Sequence, residues 1–170
     1  MKILFLIHSL RRGGAERVAL DLAKGLANKG HTVQVIAWVN DDEYKDEYPN
    51  IEKSYLMKPN EYRWIKSLRY SAKLLSQRID DYKPDIIQVH TPSVFWLLGL
   101  INNKVPVLHI LHGYGSIEYN FSFKGFFKWV ISRFVVAKTG SKFITVSPSM
   151  NLVAAKFYSN SPDEYTSIQN

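Results

Sequence analysis

Cysteine is absent from the 170 residues, which excludes a disulfide scaffold and any thiolate-held metal. A reduced, cytoplasmic setting is the expectation that goes with this. No run of about 18 apolar residues occurs, so no segment is predicted to span a bilayer. The opening Met1-Lys2-Ile3-Leu4-Phe5-Leu6-Ile7 has the charge and apolar run of a secretory signal, but His8, Ser9 and Arg11-Arg12 break it early and no small-residue cleavage site follows. A buried first strand is the better reading. Repeats, low-complexity tracts and linkers are also missing, and the 46% hydrophobic content suits one compact domain.

Acidic residues are in short supply: 15 Asp and Glu stand against 22 Lys and Arg, a net charge of +7. Phosphorylated ligands, anionic lipid and nucleic acid are all compatible with that balance. Nucleic acid is set aside, because the aromatics sit inside apolar periodic segments and no RNP, zinc-finger or helix-turn-helix signature is present.

What is there alternates. Ile3–Ile7 is a short continuous apolar run, the pattern of a strand buried on both faces. Ala15, Val18, Ala19, Leu22 and Leu26 then fall on one helical face, with Gly30 placed to cap it. Thr32–Val39 is a second strand, giving a right-handed βαβ unit and hence a parallel sheet. Residues 41–50 read as an acidic surface excursion, and 53–57 as a short edge strand. Trp64, Ile65, Leu68, Ala72, Leu75 and Ile79 mark a long amphipathic helix that stops near Pro84. Strands are expected at 86–89, 105–111 and 143–146, with a short helix over 94–101 and a last helix over 150–158. Between them Phe126, Phe127, Val130, Ile131 and Phe134 keep one helical face. The order predicts a doubly wound, mainly parallel α/β sheet with helices on both faces. Thr166-Ser167-Ile168 reads as a further strand beginning where the chain stops, an expectation of truncation.

Ligands of open α/β sheets bind beyond the carboxyl ends of the strands. Four places qualify: Gly13-Gly14, His90, the stretch from His109 to Gly115, and Ser147-Pro148-Ser149. Gly13-Gly14 before a helix brings backbone amides toward an anion, with Arg11, Arg12 and Arg17 adding positive charge; a plain tight turn is the alternative. The loop has neither G-x-G-x-x-G nor G-x-x-x-x-G-K-[ST], so it is not a dinucleotide fingerprint or a Walker A loop. His109 and His112 are three apart on a strand of period two, so they face opposite ways and cannot share a metal. His109 reads as a residue packed under a helix. His112, ahead of Gly113-Tyr114-Gly115, opens into the cleft, where it could donate a hydrogen bond or exchange a proton. His90, Tyr114, Glu118 and Ser147 are candidates for lining the same cleft. The segment Phe121 to Lys142 is basic and aromatic-rich, suited either to an anionic membrane surface or to covering the sheet.

Several of these pieces carry a resemblance. Residues 2–7, Gly13-Gly14-Ala15-Glu16-Arg17 and residues 22–33 resemble the opening of glycosyltransferase family 4, enzymes of the GT-B fold built from two Rossmann-like domains. Pro84-Asp85-Ile86-Ile87-Gln88-Val89-His90, Leu111-His112-Gly113 and Ile144-Thr145-Val146-Ser147 continue it in order. The resemblance implies an N-terminal, acceptor-binding Rossmann-like domain over residues 1–165, with residues 166–170 beginning the crossover to a second, donor-binding domain that carries paired glutamates. Gln169 stands there where the family usually has proline. It implies that Gly13 and Gly14 approach the donor diphosphate and that His112 lies near the donor sugar and the reaction centre. The implied reaction is retaining transfer of a sugar from a nucleotide-diphosphate sugar to a hydroxyl of a glycolipid or polysaccharide, with no cofactor and no metal, and no turnover by this half alone. The other reading left open is a Rossmann-like module that binds a phosphorylated ligand without transfer.

Overall fold

A computed structural model of the chain describes residues 1–113, 123–158 and 165–168. Seven strands, β1 (Lys2–Ile7), β2 (Thr32–Val39), β3 (Glu52–Met57), β4 (Ile86–Val89), β5 (Val107–Leu111), β6 (Lys142–Thr145) and β7 (Tyr165–Ser167), form one sheet in the order β3-β2-β1-β4-β5-β6-β7. Every pairing is parallel. Among the described residues five α-helices connect them: α1 (Gly14–Asn28), α2 (Trp64–Tyr82), α3 (Pro92–Gly99), α4 (Phe123–Thr139) and α5 (Pro148–Tyr158). The doubly wound Rossmann-like reading of the sequence therefore holds.

The strands bury both faces because their side chains alternate. Ile3, Phe5 and Ile7 of β1 turn to one core, which Ala19, Leu20 and Ala23 of α1 close. Leu4 and Leu6 turn to the other, shared with Ile87, Val89, Leu111 and Phe143 and roofed by α2, α3, α4 and α5. The helices thus divide one to four between the faces. Two buried indoles of the larger core are satisfied by helix serines: Trp38 Nε1 donates to Ser71 Oγ at 2.7 Å and Trp96 Nε1 to Ser132 Oγ at 3.0 Å. Neither tryptophan leaves a stranded donor.

Local chemistry explains where the boundaries fall. α1 ends at Gly30, whose φ of 84° lies in the left-handed region, and His31 N–H reaches back to the Leu26 carbonyl at 3.2 Å. The helix expected over 94–101 starts earlier, at Pro92, since proline suits a first helical turn. The strand expected from Val105 starts at Val107. There the Asn103 side chain accepts from Val105 N–H at 3.2 Å and donates to Val105 O at 2.8 Å, holding the chain in a turn ahead of Pro106. The strand expected at 166–168 is β7, and it pairs with β6 in this same sheet.

The larger departure is α4. Its apolar stripe, expected to keep one helical face, turns away from the sheet: Phe126, Phe127, Val130, Ile131 and Phe134 are all exposed, Phe134 to 61%. The residues that face inward are smaller, namely Gly125, Ser132, Val135 and Val136. At the joint with α3, Gly99 packs so closely on Val135 that an added Cβ would collide with its Cγ2. Close approach of the two helices at Gly99 selects the narrow face of α4; the phenylalanine stripe is left outside, while Trp129 packs partly buried against the larger core.

Candidate functional site at the strand carboxyl ends

In a sheet of this order the topological switch lies between β1 and β4, whose following segments run to opposite faces and open a crevice. His90 sits there. Its N–H donates to Leu6 O at 2.9 Å, and its ring lies within 17° of parallel to Phe5 at a centroid distance of 5.1 Å. His90 Nδ1 meets His112 Nε2 at 2.9 Å, with the two rings 25° apart. The structure thus brings His90 and His112, at the ends of β4 and β5, into direct contact.

The pair differs in exposure. His90 is 2% exposed, whereas His112 is half-buried. Burial, reinforced by the charges of His112 and His109, pushes His90 down to about 3, so it is neutral at ordinary pH. Burial also holds His112 below the usual histidine value. His109, read as a packed residue, is 0% exposed between Phe95, Phe143 and Tyr158, and burial again pushes it to about 3.

Gly13 caps α1 with extended backbone, and no side chain caps the helix. The first-turn amides of Gly14, Ala15 and Glu16 therefore have no helical acceptor. An added Cβ at Gly14 would meet nothing within 4 Å, whereas one at Gly13 would collide with the Glu16 carboxylate, which lies against that glycine. Gly13 N–H itself is engaged, donating to the Tyr44 hydroxyl at 3.3 Å. The added positive charge read into this loop is compensated: Arg11 pairs with Asp41 at 3.3 Å, Arg12 with Glu47 at 2.7 Å and Arg17 with Asp21 at 3.9 Å. Backbone amides and the helix dipole, rather than free guanidinium groups, are what the loop offers an anion.

Ser147 follows β6 on the same edge, its Oγ 3.0 Å from that of Ser149. Tyr114 and Glu118 lie outside the described residues. Two residues near the site were missed by sequence reasoning. His8, directly after β1, meets Ser93 Oγ through Nδ1 at 3.2 Å and stands edge-on to Trp38 and Tyr62. The signal was available, since His8 is the first polar residue past a buried strand. Tyr44, clamping Gly13 from the acidic excursion, gave no such signal: its partner is 31 residues away. Among the described residues no cluster of three His, Asp or Glu side chains that could hold a metal ion is present.

Comparisons with known proteins agree with this fold. The family described as Glycosyltransferase Family 4 matches residues 12–170. No curated protein matches the sequence. Among solved structures, Anabaena Alr3699/HepE in complex with UDP superposes with a TM-score of 0.76 at 18% identity, covering 100% of this chain and 44% of that one. Sucrose-phosphate synthase from Thermosynechococcus elongatus gives 0.70 at 16%, covering 99% and 48%. The UDP-GlcNAc 2-epimerase from Methanocaldococcus jannaschii gives 0.69 at 11%, covering 100% and 46%. The chain thus spans less than half the length of each of these proteins.

Proposed function

The chain belongs to glycosyltransferase family 4, and from that premise we propose that it forms the acceptor-binding half of a retaining enzyme. The sugar passes from a nucleotide-diphosphate donor to a hydroxyl of a glycolipid or polysaccharide. The observation that carries this reading is the joining of His112 to His90 at the switch point, on the edge where α1 leaves three uncapped amides. Those amides, from Gly14 onward, suit the donor diphosphate, and His112 suits the sugar or the reacting oxygens. Tyr114, Glu118 and Ser147 are assigned to the acceptor side; His90, expected there too, is 2% exposed and reaches the cleft only through His112. The epimerase that shares the fold is a reminder that the sheet alone does not specify transfer; family membership favours it over a module that only binds a phosphorylated ligand.

In the enzyme complete with a donor-binding domain, His112→Ala is expected to lower turnover by roughly 10²-fold while the melting temperature stays near the parent's. A variant that loses stability in step with activity would assign His112 to structure. The 170-residue chain alone is expected to transfer no sugar, because donor and acceptor must be held in one geometry by both halves.

The same enzyme is placed at the cytoplasmic face of a membrane. No described helix is long and apolar enough to cross one, but the outward stripe of α4 is flanked by Lys128 and Arg133, and residues 119–162 carry six basic side chains and no acidic one. An outward apolar stripe between cations suits peripheral contact with anionic lipid. Sedimentation with vesicles containing phosphatidylglycerol is expected to capture the chain, and a double variant Phe126→Ser, Phe134→Ser is expected to stay in solution. Equal capture by neutral and anionic vesicles would remove the electrostatic part of this assignment.

A further inference from the structure

His90 is held on every side. Its main chain is tied to β1, its ring is stacked between Phe5 and His112, and it is 2% exposed. Nδ1 has a partner in His112 Nε2, while Nε2 is buried with none among the described residues. A neutral imidazole carries one N–H, and two placements are open to it. On Nε2 it would be a buried donor facing no acceptor, which folded proteins rarely tolerate. On Nδ1 it points at His112. In that arrangement His112 Nε2 is the acceptor, and the single hydrogen of His112 sits on Nδ1, the nitrogen not engaged by His90.

We propose that His90 is a positioning residue: by donating from Nδ1 to His112 Nε2, it fixes the ring and the tautomer in which His112 offers Nδ1–H to the ligand. The tautomer of a histidine is set by the bond its other nitrogen makes, and free histidine in water prefers the opposite one, with hydrogen on Nε2. The consequence for the reaction is specific. His112 acts as a neutral hydrogen-bond donor, and the atom it recognises is an oxygen with a lone pair, on a sugar hydroxyl or a phosphate. Its own lone pair is engaged by His90, which removes His112 as the base that accepts the acceptor proton. This inference rests on the reading of His112 as a site residue given above.

Long-range proton–nitrogen correlation spectra of the nitrogen-15-labelled chain near pH 7.5 report the tautomer directly. The spectrum is expected to show His112 protonated at Nδ1 and bare at Nε2. His90→Asn, whose amide nitrogen lies close to the place of Nδ1, is expected to keep that tautomer, and His90→Leu to move His112 toward the Nε2–H form. In the complete enzyme His90→Leu is expected to lower turnover by about 10-fold, in the range seen when an orienting partner is lost, with His90→Asn recovering most of it. A parent spectrum with hydrogen on His112 Nε2, or an unchanged tautomer in His90→Leu, would overturn the proposal. If His90→Leu fails to fold, the parent and His90→Asn spectra decide alone, since loss of the Nδ1–H form in either counts against it. A fixed tautomer combined with full activity of His112→Ala would leave the positioning intact and remove only the catalytic reading of His112.

Discussion

Helices α2 and α4 carry apolar stripes of the same period on the same side of the sheet, and the fold treats them in opposite ways. Ala72, Leu75 and Ile79 of α2 are buried, Leu75 completely, in the larger core. The stripe of Phe126, Phe127, Val130, Ile131 and Phe134 on α4 points away from it, and of the large α4 side chains it is Trp129 that packs, partly buried, against this core. Periodicity marks a helix with one apolar face; it does not say that the sheet receives that face. What decides is the width of the slot. α2 packs its long side chains against the strands, whereas α4 must lie close against α3 at Gly99 and can present only small residues there.

Truncation in the two stripes should separate them most sharply. Leu75→Ala, at a site with 0% exposure, is expected to cost about 2–5 kcal/mol in denaturant unfolding, the range for a buried leucine that leaves a cavity. A cost below about 1 kcal/mol would mean that α2 is not anchored as described.

Histidines beneath the two cores extend the comparison to polar groups. His109, under the four-helix layer, and His90, on the α1 side, are both neutral when folded, near 3, against 6.5 when free. Above pH 6.5 neither folded nor unfolded histidine binds a proton, so stability is flat in this respect. As pH falls below 6.5 the unfolded chain takes up protons that the folded chain refuses until about 3, and stability falls by roughly 1 kcal/mol per pH unit for each. Unfolding midpoints taken between pH 7.5 and 4 check this. His109→Phe should remove its share of the slope, and an unchanged slope would assign the acid sensitivity elsewhere.

The narrow joint itself is tested by Gly99→Ala, expected to cost about 1–3 kcal/mol because the added methyl drives into Val135. A neutral result would show that α4 can shift outward freely. At the small end, Phe134→Ser is expected to change stability by no more than about 0.5 kcal/mol, since the ring is 61% exposed. A loss as large as that of Leu75→Ala would place Phe134 in a core and undo the comparison.

Much of this was legible from residues alone. The buried runs of β1, β2 and β4, the glycine cap at Gly30 and the placing of Gly13, His90, His112 and Ser147 at strand ends all follow from local pattern and parallel topology. His109 was separable from His112 by strand alternation; His109 is buried inside β5, while His112, one residue past its end, is half-buried. The charge around Gly13 was not legible. Arg11 and Arg12 read as free cations until the excursion at 41–48 folded back and paired them with Asp41 and Glu47. The same return brought the Tyr44 hydroxyl to Gly13.

The sequence by itself determined the order of elements, the parallel sheet and the edge on which chemistry gathers, because each depends on side-chain period and on connections between neighbouring segments. Only the tertiary structure decided which face of α4 is buried, that the basic loop is neutralised, and that His90 and His112 touch. These depend on distances between segments far apart in the chain, where backbone separation and the volume left between packed elements set the outcome. A pattern read along the chain contains neither quantity.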